Sequence, residues 1–211
     1  MDAVDIQDIC LVGAGGIGSN LVNLVAPSLS KRKNQINLTI LDSDLVEEKN
    51  TYFQQFRLED VGLNKAVALE SAFSYDSLNI TAIEADLDEE YDLSKFDLVI
   101  CSVDNAKARK IVQKMAKTWI DLRSTGDGCV YLSNECEMEL IDVMTGDEAS
   151  GSCQQEGAIE ADFIEFGFAI AASIGSQWIH DHIRFGKSMI SSGIYSIRFG
   201  QLNMPKMGTA Q

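Results

Sequence analysis

Residues 9–20 read ICLVGAGGIGSN, an apolar run that leads directly into a turn containing four glycines. These glycines are Gly13, Gly15, Gly16 and Gly18. Glycine permits a tight turn and lets backbone N–H groups approach a polyphosphate with no Cβ in the way. The next residues, 19–25, predict a helix whose positive N-terminal end faces those phosphates. A glycine turn can also serve packing alone, but its position between a strand and a helix favours nucleotide binding.

The run INLTIL at residues 36–41 predicts a second strand, and Asp42 follows it directly. Asp42 comes 24 residues after Gly18. This is close to the offset of about 20 residues expected for a carboxylate that binds ribose hydroxyls. Such a carboxylate would repel a 2′-phosphate. NAD and ATP therefore fit this part of the sequence, whereas NADP does not.

The polar segment that follows separates these two nucleotides. It carries Asp44, Asn50, Gln54 and Lys65. A nicotinamide-dependent dehydrogenase has no evident need for such a loop. An ATP site can use side-chain amides to hold phosphate or ribose oxygens, and a compact ammonium suits a polyphosphate. The segment thus favours ATP.

With these motifs the chain resembles the ThiF/MoeB/HesA family, whose fold is shared with ubiquitin-activating enzymes. The family pattern is GxGGxGS, then D-x-D-x-V-x-x-S-N-x-x-R-Q, then G-x-x-K-A, then D-N-x-x-x-R. This chain has GAGGIGS, then DSDLV with Asn50 and Gln54, then GLNKA at residues 62–66, then DNAKAR at residues 104–109. The four motifs occur in order over residues 9–109, and later segments match more loosely to about residue 185. The resemblance implies an α/β, Rossmann-like, mostly parallel sheet flanked by helices, with antiparallel strands in the C-terminal half.

The resemblance also implies an ATP- and Mg²⁺-dependent adenylyltransferase that activates the C-terminal carboxylate of a ubiquitin-like or sulfur-carrier protein. Asp42 would hold the ribose, Asn50 and Lys65 the phosphates, and Asp104 the Mg²⁺, a hard cation that prefers oxygen ligands. The full set of expected nucleotide-binding residues is Gly13, Gly15, Gly16, Gly18, Asp42, Asp44, Asn50, Gln54, Lys65 and Asn105. The expected catalytic residues are Lys65, Asp104, Arg123 and Cys153.

Asp104 follows an apolar run at residues 96–103 that is typical of a buried strand in a parallel sheet. Open α/β sheets bind ligands at the carboxyl ends of their strands, which suits a metal-binding role for Asp104. The alternative is that Asp104 or Asn105 caps a helix predicted over residues 106–118. One residue could not easily do both.

Two departures from the family concern cations. Phe53 stands where the family has arginine, and Lys49 stands where it has serine. The segment up to and including Ile9 has only nine residues, where many relatives carry a helix that supplies a second arginine to a partner subunit. An adenylation transition state needs cationic stabilisation. Arg57, Lys49 or Arg123 could compensate, and Arg123, at the end of a predicted strand over residues 119–123, could equally be a surface cation paired with an acid.

The five cysteines form no CxxC pair, so we expect no structural zinc site. Cys10 and Cys101 lie in apolar runs and are predicted core residues. Cys153 lies in a Gly/Ser-rich loop before a long predicted helix, where some family members have a nucleophilic cysteine. A helix N-terminus would favour its thiolate, whereas the nearby Glu148 and Glu156 would oppose it.

Net charge and composition limit the classes of binding partner that the sequence predicts. The chain has 211 residues, a net charge of −15, 45% hydrophobic and 23% charged residues, which predict one globular domain over residues 1–200. The charge disfavours nucleic acid and anionic membranes as partners. Without a secretory leader or a membrane-length apolar run, we expect a cytoplasmic protein. Residues 201–211 are expected to form a disordered tail.

The remaining sequence predicts helix 16–28, helix 62–75, strand 78–84, strands near 119–123 and 128–143, a crossing loop over 145–156, helix 158–185 and a final short strand. In the long helix the small residues Gly167, Ala171 and Gly175 recur at intervals of four, which suits either a homodimer or heterodimer interface or packing within the chain. Three hypotheses follow. The first is an adenylyltransferase, the second a catalytically degenerate nucleotide- or partner-binding subunit of a heteromer, and the third an NAD-dependent oxidoreductase.

Overall fold

The computed structural model describes residues 6–145, 153–154 and 157–202. The described strands are β1 (Asp8–Val12), β2 (Ile36–Leu41), β3 (Leu78–Ile83), β4 (Leu98–Cys101), β5 (Trp119–Thr125), β6 (Gly128–Ser133), β7 (Ser192–Ser196) and β8 (Gly200–Leu202). They form one sheet in the order β3-β2-β1-β4-β5-β6-β7-β8. The first five in this order pair in parallel, and β6, β7 and β8 pair antiparallel. The predicted α/β fold with an antiparallel C-terminal part is confirmed.

The described helices are α1 (Gly16–Leu29), α2 (Lys65–Ala72), α3 (Ala106–Met115), α4 (Met138–Met144) and α5 (Gly167–Phe185), with short 3₁₀ helices at Glu48–Tyr52 and Leu58–Asp60. Asn64 caps α2 by accepting hydrogen bonds from the backbone N–H groups of Ala66 and Val67 at 2.8 and 3.2 Å. This cap explains why α2 begins three residues later than predicted, because an N-cap residue has extended backbone geometry.

One predicted element was wrong in type. We expected a strand to extend from residue 128 to 143, but β6 ends at Ser133 and α4 occupies residues 138–144. Cys136 lies in the turn between them, where its thiol donates to the Ser191 carbonyl at 2.9 Å. Short apolar runs are ambiguous between the two periodicities, and only Ile141 of α4 is buried.

The long helix was predicted over residues 158–185, but α5 begins only at Gly167. Residues 157–162 instead form turns, and Asp162 has a φ of 54°. This left-handed conformation is incompatible with a continuing right-handed helix. The N-terminal boundary of α5 is set by packing, because a Cβ on Gly167 would collide with the carbonyl oxygens of Gly126 and Gly128.

Two hydrophobic cores cover the two faces of the sheet. Along β1, Ile9 and Leu11 face the core formed with α1, α2 and α5, whereas Cys10 and Val12 face the core formed with α3 and α4. This alternation follows from the two-residue period of a strand. The chain has two tryptophans, and each is buried in a different core: Trp178 in the α5 core and Trp119 in the α3 core.

The small residues of α5 pack against other elements of the same chain. Gly167 and Ala171 are buried, and a Cβ on Gly175 would collide with the side chains of Leu122 in β5 and Leu21 in α1. Small residues at this spacing let a helix approach its neighbours closely. Packing inside the domain therefore accounts for them, and dimer formation remains a prediction.

The C-terminal part of the described chain adds one strand to the sheet. Gln201 and Leu202, which we had assigned to the tail, pair with β7 as part of β8. Residues 203–211 lie outside the described residues. The extent of the single domain, residues 1–200, remains a prediction. No helix in the described ranges is long and apolar enough to cross a membrane.

Candidate active site

The predicted site residues gather at the carboxyl ends of the parallel strands. Strand β1 lies between β2 and β4, and the chain turns outward in opposite directions from β1, so a crevice opens between the loops that follow β1 and β4. Open α/β sheets bind their ligands at such a switch point. The glycine turn follows β1, Asp42 follows β2, and Asp104 follows β4.

The glycine turn needs glycine at both of its ends. Gly13 has a φ of 97°, and a Cβ on Gly18 would collide with the Gly13 carbonyl oxygen. Ser102 supports this turn by donating from its hydroxyl to the same carbonyl oxygen at 2.8 Å. By contrast, a Cβ on Gly15 would meet nothing within 4 Å. The turn is thus closely packed beneath and open at Gly15, where α1 begins and a phosphate group could approach.

Asp42 connects the turn to the polar loop. Its carboxylate accepts hydrogen bonds from the backbone N–H of Ala14 at 2.6 Å and that of Asp44 at 2.8 Å. Burial raises the pKa of Asp42 above its ordinary value, although these N–H groups and the Lys65 ammonium act in the opposite direction. Each carboxylate oxygen can accept a further hydrogen bond. Asp42 can therefore stabilise the turn and still accept hydrogen bonds from ribose hydroxyls.

Lys65 lies close enough to Asp42 for its charge to act on that carboxylate, and its role in phosphate binding remains a prediction. Its ammonium is 2.7 Å from the Asp44 carboxylate, and the residue is only 8% exposed although Asp44 is exposed. The Asn64 side-chain amide donates to the carbonyl oxygens of Asp42 and Asp44 at 2.8 and 3.2 Å. We call Asp42, Asp44 and Lys65 the nucleotide cluster. It places an ammonium and two carboxylates at the end of β2.

Asn50 lies in the 3₁₀ helix Glu48–Tyr52 beyond this cluster, and Gln54 lies in the bend that follows. The Asn50 side chain is buried, and its oxygen accepts from the Glu47 backbone N–H at 2.8 Å. This segment is held against α1 by Asn20, whose amide donates to the carbonyl oxygens of Gly16 and Phe53 at 2.7 and 3.1 Å. We did not foresee the role of Asn20, although it directly follows the GAGGIGS motif.

A pocket of about 270 Å³ opens on the other side of the glycine turn, towards β4, β5, β6 and β7. We call it the arginine pocket. It is lined by Ile17, Ser102, Val103, Asp104, Arg109, Leu122, Arg123, Ser124, Thr125, Gly128, Cys129, Val130, Cys153 and Ile194. Three of the four predicted catalytic residues, Asp104, Arg123 and Cys153, therefore share one pocket. The fourth, Lys65, belongs to the nucleotide cluster.

The structure separates the two roles that were open for Asp104 and Asn105. Asn105 is the N-cap of α3, and its side-chain oxygen accepts from the Ala108 N–H at 2.8 Å. Asp104 is exposed and lines the arginine pocket. Asn105 therefore provides the cap, and metal binding by Asp104 remains a prediction.

Two arginines share one buried carboxylate at the floor of the arginine pocket. Asp121, within β5, is 0% exposed; its oxygens lie 2.5 Å from Arg123 Nη2 and 3.5 Å from Arg109 Nε. Arg109 also donates to the Val103 carbonyl oxygen at 2.8 Å, and Arg123 donates to the Met144 carbonyl oxygen. The three side chains carry one net positive charge. Arg123 is therefore paired with an acid, as one alternative had it, but it lies in the pocket and not on the surface.

Comparison with known proteins identifies the family of the chain. The sequence model of the ThiF family matches residues 2–174. The chain belongs to the ThiF family. Its relatives include SUMO-activating enzyme subunit 2 of Dictyostelium discoideum, 35% identical over 122 residues that cover 54% of this chain and 18% of that protein. The NEDD8-activating enzyme E1 catalytic subunit of the same organism is 27% identical over 128 residues, 56% of this chain and 27% of that protein. This ThiF chain thus spans less than a third of the length of either relative.

Solved structures share the ThiF fold. Escherichia coli MccB, determined with ATP, has a TM-score of 0.65 and 18% identity, and the match covers 94% of this chain and 63% of that one. PaaA has a TM-score of 0.66 and 19% identity, covering 92% of this chain and 62% of that one. At these identities the likeness shows the fold alone. It agrees with the observed sheet.

Phe53 replaces the arginine of the ThiF pattern with a packing residue. Its ring would lie 3.2 Å from a Cβ on Gly16, and it packs against the Phe168 ring of α5 at a centroid distance of 5.6 Å. Two of the three candidate substitutes lie on the surface in ion pairs: Lys49 with Glu47 at 2.9 Å and Arg57 with Glu59 at 3.0 Å. Arg123 is the candidate that lines the pocket.

Cys153 lies next to the start of α1, whereas its position in the sequence had placed it at the start of the long helix, which begins only at Gly167. A Cβ on Gly16 would be 3.4 Å from its Sγ. Burial raises the pKa of Cys153, and the Asp104 charge acts in the same direction, whereas the Ser124 hydroxyl and the Ile17 N–H lower it. The net effect favours the thiol over the nucleophilic thiolate. Glu148 and Glu156, which we expected to oppose thiolate formation, lie outside the described residues.

This shift predicts slow alkylation of Cys153 by iodoacetamide. A raised pKa leaves less thiolate at pH 8 than a free cysteine has, so the rate should be several-fold lower than that of glutathione and should rise as pH increases. Peptide mass mapping at several pH values measures it, with Cys153→Ser as the control for peptide assignment. Alkylation at pH 7 as fast as that of glutathione would contradict the prediction.

Metal ligands are sparse in the described residues. In those ranges no group of three or more His, Cys, Asp or Glu side chains is arranged to hold a metal ion. Mg²⁺ in nucleotide sites is commonly bound by one or two carboxylates together with substrate phosphates and water. A single exposed carboxylate at Asp104 fits that pattern.

Cys10 and Cys101 are fully buried in β1 and β4, as predicted for core residues.

Proposed function

We propose that this ThiF-family chain catalyses the Mg²⁺- and ATP-dependent adenylation of a C-terminal carboxylate, carried by a ubiquitin-like protein, a sulfur-carrier protein or a peptide. A carboxylate oxygen attacks the α-phosphorus of ATP. The bond from that phosphorus to the oxygen bridging the β-phosphate breaks, so that pyrophosphate leaves and an acyl-adenylate forms. One observation carries the proposal: the nucleotide cluster and the arginine pocket lie on opposite sides of one glycine turn.

The nucleotide cluster suits the ribose and the triphosphate. Asp42 would accept hydrogen bonds from the ribose hydroxyls, while Lys65 would approach the phosphates with Asn50 and Gln54 nearby. The Lys65 ammonium has three N–H donors, and its bond to Asp44 uses one of them. The buried Lys65 stem limits the positions that this charge can take, which reduces the reorganisation needed on binding.

The arginine pocket suits the reacting carboxylate, and its edge at Asp104 faces the expected position of the α-phosphate. Charge develops on the α-phosphate oxygens in the transition state, and preorganised cations stabilise it most where water is excluded. Arg123 is held by Asp121 and by the Met144 carbonyl oxygen, so its position is set before substrate arrives. Asp104 would hold Mg²⁺, which supplies charge neutralisation between the phosphates. We propose that Arg123 supplies the positive charge that the family arginine would supply at the position of Phe53.

A second candidate function follows from Phe53 itself. Because the family arginine is replaced by a ring packed on Phe168, the chain could bind nucleotide as a catalytically degenerate subunit of a heteromer, with the missing arginine supplied by a partner. This alternative predicts Mg²⁺-dependent ATP binding with no turnover by the isolated chain.

The adenylation proposal is supported by the similarity to MccB, a protein crystallised with ATP and also with AMPCPP and MccA.

The test is exchange of labelled pyrophosphate into ATP by the purified chain, in the presence of a pool of octapeptides with free C-termini. We expect exchange that requires Mg²⁺ and is absent with the same pool amidated at its C-termini. Arg123→Met should lower the exchange rate by about 10²-fold, the effect of removing one preorganised donor. Arg57→Met, which removes a surface arginine, is the matched control and should retain the rate. ATP binding by calorimetry with no exchange from any peptide would favour the degenerate subunit.

A further inference from the structure

The lining of the arginine pocket combines charged and polar side chains with apolar ones. Asp104, Arg123 and Ser124 are among the polar residues. Val130 and Ile194 are apolar residues on the same face of the sheet as Arg123, whereas Leu122, Cys129 and Ile17 line the pocket from the core with α1 and α5. The pocket is therefore built for a ligand with a charged end and an apolar body.

The register of the sheet arranges these residues in one row. Arg123 in β5 is paired with Val130 in β6, Val130 with Ile194 in β7, and Ile194 with Leu202 in β8. Directly opposed residues of antiparallel strands project from the same face, with Cβ atoms about 5 Å apart. The row therefore begins with a guanidinium group and continues through three apolar side chains. At about 4.8 Å between strands it spans roughly 14 Å, the length of about four extended residues.

The nucleotide is expected elsewhere. Asp42, the ribose ligand, lies at the end of β2, whereas the pocket lies on the β4 to β7 side of β1. An α-phosphate that follows the ribose over the glycine turn would face Asp104, at the edge of the pocket.

We infer that the arginine pocket selects a carboxylate substrate whose last residue has an apolar side chain of the size of valine, leucine or methionine, in preference to glycine. This inference rests on the proposed function. The terminal carboxylate would lie at Arg123, with the last side chain against Val130 and Ile194, and the preceding residues would follow the row towards Leu202. A terminal glycine would leave the Val130 and Ile194 walls without contacting atoms and lose their dispersion attraction.

The test measures binding without turnover. The purified chain is incubated with AMPCPP, Mg²⁺ and an equimolar set of octapeptides that differ only in their last residue, and the retained peptides are quantified by mass spectrometry. Peptides ending in valine, leucine or methionine should be retained at least about tenfold better than the one ending in glycine, a typical discrimination by an apolar pocket. Val130→Phe, which fills the pocket, should abolish the preference and leave MgATP affinity unchanged. Leu24→Phe, a substitution at an exposed position of α1, is the matched control.

Each outcome decides the inference. Equal or better retention of the glycine peptide, or no retention of any peptide, would overturn it. A loss of MgATP affinity in Val130→Phe would also overturn it, because the pocket would then hold the nucleotide. If Val130→Phe does not fold, Ile194→Ala enlarges the same wall and should shift the preference towards phenylalanine. Preferential retention without pyrophosphate exchange would refute the proposed function but support the inference, whereas exchange that prefers glycine would refute only the inference.

Discussion

Asp104→Ala is expected to lower Mg²⁺-dependent pyrophosphate exchange by about 10³-fold, since a metal ion supplies several kcal/mol of charge stabilisation at a phosphoryl oxygen. The carboxylate is exposed, and the cap of α3 is provided by Asn105, so the fold should not change. The measurement is the exchange rate against Mg²⁺ concentration, together with the urea midpoint of unfolding. A loss of rate with an unchanged midpoint assigns the effect to metal binding.

Asp76→Ala is the matched control for this substitution. Asp76 is exposed and precedes β3, so it lies at the amino ends of the parallel strands, away from the crevice. It removes the same charge from the chain without touching the site. Exchange by Asp104→Ala at the rate of the Asp76→Ala control would refute the metal-binding role.

Asp121→Ala is expected to lower the free energy of unfolding by about 3–5 kcal/mol, the usual effect of removing one partner of a buried ion pair. Asp121 is 0% exposed, and its loss leaves Arg109, which is 4% exposed, without its carboxylate. Urea unfolding at neutral pH, followed by tryptophan fluorescence, measures the change. A decrease below about 1 kcal/mol would mean that both arginines find other acceptors or reach water.

The same substitution separates stability from catalysis. Any folded Asp121→Ala protein should have a misplaced Arg123, because Asp121 holds both Nε and Nη2 of that side chain. Its exchange rate should then fall towards that of Arg123→Met, while its MgATP affinity stays near that of the parent chain. Asp76→Ala again serves as the control for loss of one negative charge.

Local sequence patterns predicted the parallel half of the fold well. The strand at residues 36–41 has the predicted bounds, because an apolar run there ends in an acid and begins after a polar turn. The C-terminal half was harder. Residues 138–144 have apolar positions compatible with a strand or a helix, and the break before α5 depends on contacts of Gly167 with a distant turn. Such contacts cannot be inferred from neighbouring residues.

The site residues, like the fold, were predicted only in part from the sequence. Asp42, Lys65 and Asp104 were predicted from motifs at strand ends, and the structure brings the first two together and places Asp104 across the glycine turn. Sequence could not decide between capping and ligand roles at Asp104 and Asn105, because both types of residue favour helix N-termini. The Arg109–Asp121–Arg123 network was missed. Its one signal was an acid inside the apolar run WIDLR, and its partner Arg109 comes from a neighbouring helix.

The burial of one tryptophan on each face of the sheet makes the two layers separately observable by spectroscopy. Trp119 is 3% exposed beneath α3, and Trp178 is 0% exposed within α5 beside the His182 ring. Replacing either indole with phenylalanine would leave a single emitter that monitors one layer. Stopped-flow records from the two single-emitter proteins would then show whether the layer bearing the glycine turn consolidates before, with or after the layer bearing Asp104.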